Sequence, residues 1–219
     1  MLVRHRDWRG TFALGLDGVE QAAVLPLQRN PVAFNNPEYA HRISLELLRR
    51  FLVNVHAEFG SGAVEPHWAH FFALAHNCTL SPGRVAMAGY NAQLTVDLSN
   101  SVAAIGSRQE NAPDYFKIVD AIASSGNLIV DRTKAVYGAD LGPLWRFYFV
   151  GEGLDTLLGK GVATDPLLRA ADAGFNVIVF GNGLALQNPN LRPATEIEID
   201  TLWNSVDIAM QTLADLRAL

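Results

Sequence analysis

The feature that most constrains the fold is a stretch over residues 82–104 with very few charged side chains. Ser81-Pro82 offers an N-cap followed by a first helical residue, and small or apolar residues then recur at helical spacing. A helix of this composition has too few polar positions to face water along its whole length. The pattern therefore predicts a helix at the centre of a bundle, covered by other helices on most of its sides.

Helical periodicity also marks the segments before and after this central helix. Asn36-Pro37 gives the same kind of start signal, and apolar residues recur until the pattern ends near Phe59. The run Val177–Phe180 has the composition of a strand, but we assign it to a helix because no second strand is available to pair with it. The remaining predicted helices cover about 66–77, 113–124, 128–139, 143–158, 165–186 (with an allowance for a break at Gly174) and 194–218.

The predicted fold class is all-α, a single-domain bundle of seven to eight helices, since no alternation of strands and helices is visible. Residues 1–35 lack a sustained period. We expect them to form an N-terminal arm, irregular or partly helical, that packs on the helical domain formed by 36–219.

Composition excludes several classes of protein. The chain has 219 residues, 49% of them hydrophobic, which is too apolar for a disordered protein. Its net charge is −5 and it has no Lys/Arg cluster, so we expect no nucleic-acid partner. The single cysteine, Cys78, cannot form an internal disulfide. We see neither a signal-type apolar run nor a stretch of about 20 apolar residues, and we expect a cytoplasmic protein with no membrane partner.

A pair of histidines on the predicted helix 66–77 is the first candidate site. His67 and His70 lie three residues apart and share a helix face. Imidazole is the commonest metal ligand, but a metal site would need a further ligand from another helix. Glu65 precedes His67 by two residues, which we interpret as too close for a Glu-x-x-His arrangement. The first interpretation is that the histidines cap or rim an aromatic helix, with metal binding and proton transfer or substrate hydrogen bonding as alternatives.

A polar stripe on the central helix is the second candidate site. At 100° per residue, four side chains cluster on one side of the helix: Tyr90, Gln93, Asp97 and Asn100. A solvent-facing stripe usually carries several charged residues, and this one carries only Asp97. A buried carboxylate needs hydrogen-bond partners. The stripe is therefore interpreted as a buried polar network or pocket, with a plain solvent face as the alternative.

The segment Ala88-Gly89-Tyr90-Asn91-Ala92-Gln93-Leu94-Thr95-Val96-Asp97-Leu98 resembles the signature of an uncharacterised bacterial family, domain of unknown function 5995. That signature reads approximately A-G-M-N-A-H-I-N-x-D-L. Features on both sides are similar as well, and together they extend the resemblance over about 35–125: Asn36-Pro37, Pro66-His67-Trp68 and Pro113-Asp114-Tyr115. The resemblance implies a helical, bacterial, intracellular protein for which no activity is established.

The family signature places a histidine and an aspartate four residues apart, a pair that would suit a metal site or an acid–base dyad. Asp97 matches the aspartate, but Gln93 stands at the histidine position. Glutamine is a poor metal ligand and does not shuttle protons near neutral pH. The resemblance thus implies that this member has lost a family metal site, if there is one, or that it recruits His67, His70 or His76 instead.

The primary hypothesis is a cofactor-independent enzyme of bacterial specialised metabolism, of cyclase, lyase or isomerase type. It would perform acid–base chemistry on a largely apolar small molecule in a pocket between helices. The predicted catalytic residues are Asp97, Tyr90 and His70, and the predicted substrate-binding residues are Asn91, Gln93, His67, Trp68 and Trp145. No metal or other cofactor is assigned.

Two alternatives stay open. The first is a metal-dependent hydrolase or oxygenase that uses His67, His70 and Asp97. The second is a non-catalytic binding protein or oligomeric scaffold, with a homodimer as the oligomer considered, in which the low charge reflects an apolar interface instead of a pocket.

Overall fold

The computed structural model describes residues 2–141 and 165–216, and in the second range it describes side chains from residue 174 onward. Every regular element in these ranges is helical, which confirms the all-α, single-domain bundle. The run Val177–Phe180 lies inside a helix, as predicted. The predicted helix 143–158 falls outside the described residues.

The order of the helices follows the predicted segments closely. Within the described ranges they are α1 (Leu2–His5), α2 (Gly10–Val19), α3 (Leu25–Arg29), α4 (Pro37–Phe59), α5 (Pro66–Ala75), α6 (Pro82–Asn91), α7 (Leu98–Ala104), α8 (Ala112–Ser124), α9 (Gly126–Tyr137), α10 (Asp165–Ala185) and α11 (Arg192–Asp215). The helix α10 continues through Gly174 without a break. Among the described helices, none combines the length and the apolar character needed to cross a bilayer.

The start signals read from the sequence are present as side-chain caps. Asn36 accepts a hydrogen bond from the backbone N–H of Tyr39 at 3.0 Å, and Ser81 accepts one from the backbone N–H of Arg84 at 3.0 Å. Each cap satisfies a backbone donor that the helix leaves unpaired, and such caps contribute about 1 kcal/mol. These two caps fix where α4 and the central helix begin.

The predicted central helix is continuous but not uniform. It consists of α6, a π-helical segment over Ala92–Asp97, and α7. In the π-helical segment the backbone N–H of Leu98 donates to the carbonyl of Gln93, five residues back instead of four. This composite helix packs against α2, α4, α5, α10 and α11, so it occupies the centre of the bundle as predicted.

The N-terminal arm is largely helical, and it contributes directly to the core. Phe12 of α2 is 1% exposed, and its ring centroid lies 5.3 Å from that of Trp68 on α5. A Cβ atom on Gly89 would lie 2.8 Å from the Cβ of Phe12, so α2 approaches α6 this closely because residue 89 has no side chain. Residues of the predicted arm are therefore part of the same hydrophobic core as α4 to α7.

Candidate functional site

The single acidic residue of the central helix lies in the middle of the bundle. Asp97 is 0% exposed, and both of its carboxylate oxygens have partners on α5. The indole N–H of Trp68 donates to Oδ2 at 2.8 Å, and Nε2 of His67 lies 3.0 Å from Oδ1. In the tautomer with the proton on Nε2, His67 donates to this carboxylate; in the tautomer with the proton on Nδ1, Nε2 is an acceptor that can bind a cation. Tyr90, Gln93 and Asp97 of the predicted stripe are thus buried, whereas Asn100 is partly exposed.

A second carboxylate approaches the same nitrogen of His67. Oε2 of Glu65 lies 3.6 Å from Nε2 of His67. Glu65 is the N-cap residue of α5 and has an extended backbone (φ −64°, ψ 147°), so its side chain is not bound to helical spacing. The sequence spacing does not allow a Glu-x-x-His pair on one helix. Glu65 reaches His67 instead from the N-cap position just outside α5, where helical spacing does not apply.

Asn54 of α4 holds Glu65 in this position. Its Nδ2 donates to Oε2 of Glu65 at 3.0 Å, and its Oδ1 accepts from the backbone N–H of Glu65 at 2.8 Å. The Nδ2 group also donates to the backbone carbonyl of Arg50 at 3.0 Å. Asn54 is buried, so these bonds couple the start of α5 rigidly to α4.

We call Glu65, His67 and Asp97 the acidic triad. Its members run from the core to the surface, since the exposed fraction of the side chain rises from 0% at Asp97 to 8% at His67 and 47% at Glu65. One ligand atom from each residue lies within 4.8 Å of the other two. Within the described residues, no Arg or Lys side chain forms an ion pair with Glu65 or Asp97. The triad is an oxygen- and nitrogen-rich cluster with one side toward solvent.

Arg49 of α4 is the cation whose field reaches the triad. Its hydrogen bond to Glu46 is the main reason that the pKa of its guanidinium lies above the ordinary value, and attraction to Glu65 and Asp97 adds to this. Arg49 itself is bound to Glu46, with Nε at 2.7 Å from Oε2. Arg49 therefore interacts with the charges of Glu65 and Asp97 through space and does not contact either residue.

The residues of the triad lie inside the region that a family model recognises. A model for a family of unknown function, DUF5995, matches residues 4–160, which is more than half of the chain. The chain belongs to this family. The resemblance seen in the sequence is thereby confirmed, and the triad of this DUF5995 protein falls within the matched region. Comparisons with curated proteins and with solved structures gave no match.

Of the residues predicted from sequence, the structure brings three together: Asp97, His67 and Trp68. The predicted catalytic residue His70 lies elsewhere. Its Nε2 is 2.9 Å from Oδ2 of Asp207 on α11, and Arg84 donates to the other oxygen of Asp207 at 2.7 Å. His67 and His70 therefore pair with different carboxylates, although they are three residues apart on one helix.

The other predicted residues make contacts away from the triad. Tyr90 is buried against Phe12, with ring centroids 5.0 Å apart, and burial raises the pKa of its hydroxyl. Asn91 donates to the backbone carbonyl of Trp203 at 2.9 Å, and Gln93 donates to that of Leu47 at 3.1 Å. These contacts link the central helix to its neighbours. Trp145 lies outside the described residues.

Sequence reasoning missed Glu65 and Asn54 as members of this site. Glu65 carried a usable signal, because it is a carboxylate two residues from a candidate ligand and directly before Pro66, where a helix begins. Asn54 carried none, since it is one polar residue on the otherwise apolar buried face of α4. Only the packing of α4 on α5 reveals its role.

Proposed function

We propose that the acidic triad holds a divalent metal ion and that this DUF5995 protein is a metal-dependent enzyme that hydrolyses a small molecule. The observation that carries the proposal is the convergence of three ligand atoms. Nε2 of His67 lies 3.0 Å from Oδ1 of Asp97 and 3.6 Å from Oε2 of Glu65. Ligands about 2.1 Å from a tetrahedral ion lie about 3.4 Å from one another, so both separations suit a shared ion.

The two carboxylates of the triad each have a hydrogen-bond partner of the kind that orients metal ligands. Trp68 occupies Oδ2 of Asp97 and leaves Oδ1 turned toward His67. Asn54 fixes Glu65 through both its side chain and its backbone. Hydrogen bonds of this kind orient metal ligands, and their removal lowers metal affinity by about one to two orders of magnitude.

The charge of the triad also favours a cation. It places two carboxyl groups around one imidazole nitrogen, and no Arg or Lys contacts them in the described part of the chain. Uncompensated charge is costly to bury, and a divalent cation would offset that cost. A mixed set of one imidazole and two carboxylates suits Zn²⁺, Mn²⁺ or Fe²⁺.

Three protein ligands leave one position of a tetrahedral ion open, and the exposed side of the triad at Glu65 is where a substrate would approach. A zinc ion held by these three residues would supply a bound water with a pKa of about 7, which would be a nucleophile at neutral pH. Trp68 holds Asp97 from the core side, and Asn54 holds Glu65 on the side of α4. The open position for a water supports hydrolysis as the reaction.

A second candidate function rests on the 3.0 Å contact between His67 and Asp97. This candidate is the cofactor-independent acid–base chemistry of the primary sequence hypothesis. It differs in that Asp97 is no longer the group that exchanges protons with the substrate. Because Asp97 is 0% exposed, it would position the imidazole, and His67 together with Glu65 would exchange protons with the substrate.

Calorimetric titration of chelator-treated protein with Zn²⁺ and Mn²⁺ separates the two candidates. The metal proposal expects one equivalent to bind, with affinity reduced at least tenfold in His67→Gln and Glu65→Gln. Matched controls are His76→Gln and Glu110→Gln, which remove the same groups at exposed positions and leave affinity unchanged. The absence of saturable binding by the wild-type protein overturns the metal proposal and leaves the acid–base candidate.

Turnover is tested with chromogenic p-nitrophenyl esters of acetate and of phosphate, using metal-loaded and chelator-treated protein. The hydrolase proposal expects release of p-nitrophenol by the loaded protein, with loss of activity in His67→Gln and retention in His76→Gln. Equal rates in the loaded wild type and in loaded His67→Gln contradict it. Activity that survives chelation but not His67→Gln supports the acid–base candidate instead.

A further inference from the structure

A polar groove opens beside the acidic triad, between α4, α7 and the junction of α10 with α11. Its volume is about 210 Å³. Eight residues line it: Arg50, Asn100, Ala103, Ala104, Leu186, Gln187, Arg192 and Glu196. The groove therefore has two guanidinium groups, two side-chain amides and a small apolar floor.

The Nε atom of Arg50 lies in an ion pair, and the Nε atom of Arg192 makes a hydrogen bond. Nε of Arg50 lies 3.0 Å from Oε1 of Glu46, and Nε of Arg192 donates to the backbone carbonyl of Leu186 at 3.0 Å. Within the described residues, no contact of their terminal nitrogens is present in either case. Each guanidinium group thus has terminal N–H donors available, and such donors suit the oxygens of a carboxylate or phosphate group.

The start of α11 adds to the positive potential of the groove. Arg192 is the first residue of this 24-residue helix, and the N-cap residue Leu191 provides no side-chain cap. The backbone N–H of Arg192 donates to the carbonyl of Asn188 at 2.9 Å, and Pro193 has no N–H, so the start of α11 adds only the field of its dipole to the groove. Glu196 is the one acidic side chain of the lining. Together with the two arginines it gives the lining a net formal charge of about +1.

Two lining residues of the groove are close in sequence to the triad or to its support, Asn54. Arg50 precedes Asn54 by four residues on α4, and Asn100 follows Asp97 by three residues on the central helix, a spacing of about 5 Å in each case. The two sites also share a contact, because Nδ2 of Asn54 donates both to Glu65 and to the backbone carbonyl of Arg50. A small molecule seated in the groove would thus reach toward the triad.

We propose that this groove binds the carboxylate or phosphate group of a small anionic ligand through Arg50 and Arg192. The binding of an anion by this groove does not depend on what the triad does. The assignment of that anion as the substrate of the triad rests on the function proposed above. The apolar floor formed by Ala103, Ala104 and Leu186 would take the uncharged part of the ligand. The substrate class that follows is a small monoanionic ester or amide.

The proposal is tested by calorimetric titration of chelator-treated, full-length protein with inorganic phosphate and, separately, with acetate. Removal of the metal keeps the triad from binding either anion. Saturable binding of phosphate alone indicates a phosphate ester, binding of acetate alone indicates a carboxylate, and binding of both indicates an anion site shared by the two. Absence of saturable binding by the wild type with both anions overturns the proposal.

Variants locate the binding in the groove. Arg192→Gln removes one charge-assisted hydrogen-bond donor and is expected to weaken binding on the order of tenfold. Glu196→Gln removes the opposing carboxylate and is expected to strengthen binding. The matched control is Arg108→Gln, an exposed arginine away from the groove. Equal affinity in the wild type and Arg192→Gln contradicts the proposal.

A metal titration of the same Arg192→Gln variant keeps the two proposals apart. Normal Zn²⁺ binding together with weakened anion binding supports the groove independently of the triad. Loss of Zn²⁺ binding in this variant would show that Arg192 belongs to the metal site, and it would overturn the proposal of a separate anion site.

Discussion

Two histidine–carboxylate pairs extend from α5, three residues apart, and they differ in how their charge is balanced. Asp207 receives both His70 and the guanidinium of Arg84, which is 1% exposed. Asp97 receives His67 and the uncharged indole of Trp68, with Glu65 next to the same imidazole nitrogen. The first pair has its cation within the protein, whereas the second pair has a surplus of negative charge. This difference teaches that the same pair of side chains can carry its own compensating cation in one place and lack one in another.

The largest expected effect comes from removing the internal cation of the Asp207 pair. Arg84→Met leaves Asp207 without its guanidinium partner in a largely buried position, and breaking such a pair costs about 3 kcal/mol of unfolding free energy or more. Urea denaturation measures the loss. Zn²⁺ affinity, measured on the folded variant, is expected to stay within about twofold of the wild type. A stability change under about 1 kcal/mol would contradict the contrast drawn between the pairs.

The second effect concerns the buried carboxylate of the triad. Asp97→Asn offers one acceptor to two donors, His67 and Trp68, and turns an amide N–H₂ toward one of them. Leaving one buried donor unpaired costs about 1–3 kcal/mol. Urea denaturation is expected to show this loss, and calorimetry is expected to show no Zn²⁺ binding. Retention of wild-type metal affinity would remove Asp97 from the ligand set.

A smaller effect is expected from the residue that holds Glu65. Asn54→Ala removes the two hydrogen bonds that fix Glu65, but it leaves all three ligands of the triad in place. Metal affinity is expected to fall on the order of tenfold, as for other residues that orient a ligand. The control is Asn204→Ala, which removes the same side chain from an exposed site on α11. An unchanged affinity in Asn54→Ala shows that Glu65 needs no such support.

The smallest expected effect is on the pH dependence of stability, to which the carboxyl group of Asp207 contributes. Burial alone would raise the pKa of Asp207, but the hydrogen bond from His70 and the charge of Arg84 outweigh it and hold the pKa below its ordinary value. A carboxyl group with a depressed pKa stabilises the fold above its unfolded-state pKa, which is about 3.9, and this contribution is lost as the pH falls through the folded-state value. Urea midpoints between neutral pH and about pH 2 measure the dependence.

The matched variant for this measurement is Asp207→Asn, which cannot titrate at that position. Its stability is expected to be lower at neutral pH and to change less than that of the wild type as the pH falls below about 4. Parallel pH profiles for the two proteins would show that Asp207 does not contribute in this way.

Much of the fold follows from the sequence because the signals involved are local. The caps at Asn36 and Ser81 act on backbone groups within three residues, and the apolar spacing of α4 shows which of its faces is buried. The burial of Asp97 follows from the scarcity of charge along the central helix. Each of these inferences needed only one turn or one face of a helix.

The site was less predictable because its contacts join distant parts of the chain or break regular geometry. The partner of His70 lies 137 residues away, and no local pattern points to Asp207. Asp97 belongs to a π-helical segment, so a rotation of 100° per residue does not describe its direction relative to Tyr90. Glu65 reaches His67 from outside a helix, where spacing rules for helices do not apply.

The π-helical segment has a consequence for how such a site can change over evolution. It takes up a residue between α6 and α7 and so lets the two halves of the central helix keep separate registers against their neighbours. A deletion of one residue within Ala92–Asp97 would restore ordinary winding and change the directions of side chains in that segment. A change of one residue at the centre of the bundle would thus redirect these side chains while both flanking helices retain their packing.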